Sequence, residues 1–64
     1  MVNTDKLRGV IAENKLSQTD VASMLGMTAK TFYTRMKDGV FKTDEVAIMI
    51  DRLHITDPMP IFFA

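Results

Sequence analysis

The sequence predicts an all-α fold, a small bundle of four or five helices built as a single domain over residues 1–64. Three observations carry that expectation. Apolar residues recur at three- and four-residue spacing, the runs begin beside residues that cap helices, and no segment alternates polar with apolar for the length of a strand. A chain of 64 residues that is 47% hydrophobic and 25% charged folds rather than staying disordered, and it is too short for a second domain.

Each helix has its own local warrant. Thr4 is the expected N-cap of a first helix over 4–14, in which Leu7, Val10, Ile11 and Asn14 share a face and Gly9 is a weak point. Ser17, with Asp20 three residues on, opens a second helix over about 18–25 as a capping box; Val21, Ala22 and Leu25 form its apolar face and Gly26 its left-handed C-cap. Thr28 caps a third helix over about 29–37, where Phe32 and Met36 lie four apart and Asp38-Gly39 ends the run. Thr43 is the expected cap of a fourth helix ending near Leu53. Its first turn holds Asp44 and Glu45, where the helix dipole favours acids, and Val46, Ala47, Met49, Ile50 and Leu53 are expected to face inward. Asp57-Pro58 has the N-cap and N1 signature of one more short turn, carrying Met59, Ile61, Phe62 and Phe63.

Composition narrows the function. Without cysteine there is no disulfide framework, thiolate zinc site or cysteine nucleophile. No stretch approaches the roughly 20 apolar residues of a membrane span, and the first residues lack a signal peptide's basic-then-apolar order, so a cytoplasmic protein is expected. His54 stands without a second His and reads as a structural or surface residue. Asp44 and Glu45 read as a helix start rather than a general acid and base, so neither catalysis nor a cofactor nor a metal is expected. Of the six methionines, Met27, Met36 and Met49 sit at core spacing, and Met24 and Met59 are left for contact.

The connection between the second and third helices is the most informative feature. Leu25-Gly26-Met27-Thr28 is so short that the two helices are expected to cross steeply. Close backbones then require a small residue inside the second helix, which Ala22 supplies, with Val21, Leu25, Met27 and Phe32 flanking it. The spacing of Ala22, Gly26 and Phe32, four and then six, is that of a helix-turn-helix, whose second helix enters the major groove of DNA.

The segment Gln18-Thr19-Asp20-Val21-Ala22-Ser23-Met24-Leu25-Gly26-Met27-Thr28-Ala29-Lys30-Thr31-Phe32 resembles the helix-turn-helix of phage repressor and Cro proteins, in the xenobiotic-response-element regulator superfamily. The likeness covers about residues 4–56. The ending through Ile61-Phe62-Phe63 is similar to small phage-encoded members. It implies a lambda-repressor-like DNA-binding domain that acts on operator DNA, usually as a symmetric dimer. One position departs: an apolar residue is usual three after Phe32, whereas this chain has Arg35, and Met36 is expected to fill the core instead.

Carried over by position, Gln18 matches the phosphate-binding glutamine, and the free N–H groups at the start of its helix favour phosphate as well. Thr28, Ala29, Lys30 and Thr31 open the recognition helix, and Tyr33, Thr34 and Lys37 continue its outward face. Lys30 suits guanine O6 and N7, Thr34 a base or a thymine methyl, and Tyr33 a phosphate or base.

Charge supports this locally. Eight basic and eight acidic residues cancel overall. Residues 30–42 nevertheless carry Lys30, Arg35, Lys37 and Lys42 against Asp38, or +3, and residues 43–64 carry Arg52 against Asp44, Glu45, Asp51 and Asp57, or −3. A dimer with roughly six phosphate contacts would show a log–log salt slope of about −5.

The expected function is that of a transcriptional regulator binding an operator as a homodimer. Its recognition helices would stand about 34 Å apart, so the operator is expected to be nearly palindromic. The alternative is a modulator or antirepressor that grips a partner repressor, for which Met59, Ile61, Phe62 and Phe63 are the contact candidates. Those residues are expected to pack on the bundle with partial exposure toward a partner.

Overall fold

The structure, a computed structural model covering residues 1–64, is all-helical: α1 Thr4–Glu13, α2 Gln18–Met24, α3 Ala29–Asp38, α4 Thr43–Arg52 and α5 Met59–Phe62. There is no strand, and no helix is long and apolar enough to cross a membrane. The core draws on every element: Leu7 and Ile11, Val21 and Ala22, Phe32 and Met36, Met49 with Leu53, and Ile61 with Phe62. Phe32 sits at zero exposure and packs its ring 5.6 Å from that of Phe41, tilted by 54°.

Two expected caps shift by one residue. Asn3, not Thr4, caps α1, its side chain accepting from the Lys6 N–H; Lys42, not Thr43, precedes α4. A lysine side chain cannot accept a hydrogen bond, so the start of α4 is held from the other side, by Glu45 accepting from the Lys42 backbone N–H at 2.8 Å. The expected inward Ala47 is exposed, because α4 turns Val46, Met49 and Ile50 to the core. Met27 and Leu25 are half-buried against the core. At α5 the Asp57 carboxylate accepts from Met59 N–H, and the regular turn starts after Pro58 rather than at it.

Three of the helix ends close in one way. At α2, Met27 N–H bonds the Ala22 carbonyl and Gly26 N–H that of Ser23, both at 3.0 Å, with Gly26 at φ +71°. This is a Schellman cap, and it needs a left-handed residue, which glycine adopts without a steric penalty. Lys15 and His54 occupy the same place after α1 and α4 at φ 59° and 55°. His54 thus lies exposed at a turn, and no group of metal-binding side chains surrounds it.

Long-range ties set the rest. Asn14 donates through Nδ2 to the carbonyls of Val10 (2.9 Å) and Leu53 (3.1 Å), fastening the end of α1 to the end of α4. The first residues run across the bundle, with Val2 N–H on the Gly39 carbonyl and Asn3 N–H on that of Ile61.

At the start of α2 the capping box is complete: Asp20 N–H donates to Ser17 Oγ and Ser17 N–H to the Asp20 carboxylate at 2.8 Å. The Ser17 backbone N–H first and its hydroxyl second favour the ionised carboxylate and hold the Asp20 carboxyl below its ordinary value of 3.8. A depressed folded-state value stabilises the fold above the ordinary carboxylate range, and that contribution fades as pH falls through it. Asp20→Asn is therefore expected to flatten the acid limb of a pH–stability profile below about pH 4. Parallel wild-type and variant curves would show that the box does not couple to folding.

Candidate nucleic-acid interface

The turn at Gly26 sends the chain into α3, and Thr28 fixes where that helix begins. Thr28 Oγ1 accepts from Thr31 N–H at 3.2 Å and donates to Thr31 Oγ1 at 3.0 Å. The burial of Phe32 and Met36 then decides which side faces out. Lys30, Tyr33, Thr34 and Lys37, at i, i+3, i+4 and i+7, form a continuous exposed stripe, Tyr33 being half exposed at 50%. No acid of the C-terminal half pairs with Lys30 or Lys37.

The expected residues divide by chemistry. Lys30 and Lys37 are unpaired cations. Thr34 donates its hydroxyl hydrogen to the Lys30 carbonyl at 3.1 Å, so its outward side offers a methyl and oxygen lone pairs. Thr28 is exposed, but its hydroxyl is committed to the cap. Ala29 and Thr31 are half-buried, flanking the stripe. Gln18 is half-buried at the first position of α2. There the Asp20 carboxylate already faces the positive end of the helix, so any pull of that terminus on an anion is reduced.

Arg35 is a departure from the simple charge pattern. Its Nε lies 2.9 Å from Glu45 Oε1 and 3.1 Å from Oε2, and Glu45 is buried at 6% exposure. The positive excess of residues 30–42 is correspondingly smaller at short range. Glu45, read from sequence as a helix-start acid, serves in addition to lock the base of α3 to the first turn of α4. A glutamate in a first helical turn is ordinary, so only the ten-residue reach to Arg35 could have signalled the pair.

The apolar tail splits in two. Ile61 and Phe62 are buried at 7% and 5%, because α5 turns them into the core against α1, and Phe62 also lines the apolar groove beside Phe63. Met59 and Phe63 remain exposed at 61% and 60%. Phe63 borders an apolar groove of about 350 Å³ with Met1, Val2, Val40, Phe41 and Val46.

Set against protein-family models, curated proteins and solved structures, the chain matches none.

Proposed function

We propose that this chain is a sequence-specific DNA-binding regulator of transcription, of phage or prophage type, that acts by binding rather than by catalysis. The observation that carries the reading is the exposed stripe of Lys30, Tyr33, Thr34 and Lys37 on the helix that follows the tight Gly26 turn. Such a stripe on a helix about 15 Å long fits a major groove and offers donors, acceptors and a methyl group together. Phosphate contact comes from Gln18 while Lys30 and Thr34 read base edges, and the protein works on the DNA of a bacterial cell, as a homodimer on a nearly palindromic operator.

The test is selection from a random duplex library with purified protein. Enrichment of a short, roughly symmetric motif is expected, and a library left without any enriched motif defeats the reading.

A second reading, a modulator that binds a partner repressor, has one observation in its favour: the apolar groove beside Phe63 and Val40, both 60% exposed. Phe63→Ser tests it without disturbing the core, unlike any change at Phe62. On the DNA reading as a dimer, this variant raises the concentration needed to occupy an operator but leaves the preferred sequence unaltered. On the modulator reading it abolishes the effect on a partner repressor's DNA binding, while wild type alone shifts no DNA.

A further inference from the structure

Beside α3 lies a groove of about 310 Å³ lined by Lys30, Thr31, Thr34, Arg35, Asp38 and Val40. It differs in kind from the apolar groove, since only Val40 among its lining residues is hydrophobic. Arg35 is its unusual member. An arginine offers five N–H donors, and here the bond to Glu45 uses Nε. The terminal nitrogens have no protein acceptor, yet no buried side-chain nitrogen or oxygen is left without a partner, so those nitrogens reach solvent. Glu45 is itself held by the Lys42 backbone N–H, so the carboxylate anchors the guanidinium by one edge and leaves the other edge open. An arginine fixed in this way loses little side-chain freedom when it meets a two-oxygen acceptor.

We infer that this groove is a seat for one phosphodiester of the DNA backbone, with Arg35 as the contacting group and Glu45 as its positioning residue. The inference rests on the DNA reading. A helix lying in the major groove has a phosphate rail along each flank, and this groove runs along one flank of α3. Lys30 adds a second cation. Thr31 Oγ1 accepts from Thr28, so its own hydrogen is available to donate. Asp38 is the acid on the lining, and it gives the seat a sharp signature. Next to a phosphate Asp38 repels, whereas next to a base edge it would accept from cytosine N4.

The experiment pairs two variants with side-chain NMR. Inorganic phosphate, with chloride as the control, is titrated into ¹⁵N-labelled wild type, and a selected duplex is titrated separately. Affinities are then measured against salt for wild type, Asp38→Asn and the double variant Arg35→Met/Glu45→Leu. The double change removes both charges together, so no buried charge is stranded, and a melting curve verifies folding. Expected are a phosphate-dependent shift of Arg35 Nε–H, and tighter duplex binding by Asp38→Asn with the same preferred sequence. The folded double variant should bind about tenfold more weakly, with a salt slope shallower by about 0.9 per protomer. An unchanged slope in the double variant overturns the seat, as does an Asp38→Asn that binds more weakly with altered sequence preference. Wild type that binds duplex without moving Arg35 sinks the seat alone. Wild type that binds phosphate at Arg35 but no duplex leaves the seat and sinks the DNA reading, and binding of neither sinks both.

Discussion

Phe32→Ala lowers the free energy of unfolding by about 3 to 5 kcal/mol, as expected for a fully buried phenylalanine truncated in a tight core. A single domain of this length has only a few kcal/mol to lose, so the variant is largely unfolded at 37 °C. The reason is positional as well as volumetric. Phe32 lies on the buried side of α3, packs on Phe41 from the following loop, and is a core partner of Val21 and Ala22 from α2. Its removal leaves a void between the two helices that flank the Gly26 turn, where backbones held by a Schellman cap have little freedom to collapse. Urea denaturation followed by circular dichroism measures the effect. A loss below about 1 kcal/mol would mean that the α2–α3 contact is not the centre of the core.

Lys30→Ala with Thr34→Ala weakens binding to the selected operator by about 2 to 4 kcal/mol, roughly 30- to 1,000-fold, if each side chain makes one base contact. Both residues are exposed and neither touches the core, so the melting temperature should hardly move. This separation of stability from affinity is the value of the pair. Thr34 already spends its hydroxyl hydrogen on the Lys30 carbonyl, which predicts that Thr34→Val retains more affinity than Thr34→Ala at a step read through a thymine methyl. Fluorescence anisotropy on the selected duplex and on a scrambled one measures both quantities. If affinity for the operator and for the scrambled duplex fall by the same factor, the two residues contact backbone rather than bases.

The elements legible in the sequence are those with local causes. Ser17, three residues before Asp20, and Thr28 cap their helices as expected, and Gly26 and Gly39 adopt positive φ where the turns require it. The outward set of α3 was equally readable, because burying Phe32 and Met36 on a helix leaves Lys30, Tyr33, Thr34 and Lys37 on the other side whatever covers the core. The caps of α1 and α4 lie one residue before the expected Thr4 and Thr43, since asparagine precedes threonine at the first and a backbone N–H replaces a side chain at the second.

Residue order alone thus determined the five helical stretches, the caps at Ser17 and Thr28 and the exposed stripe, because each depends on bonds and side-chain directions within three or four residues. The tertiary structure decided the pairing of Arg35 with Glu45, the tie from Asn14 to Leu53, and the division of the tail into buried Ile61 and Phe62 and exposed Met59 and Phe63. Those outcomes join residues ten or more apart or follow from which face of α5 meets α1, and an ion pair or a buried ring at such range exists only once packing has brought its partners together and excluded water.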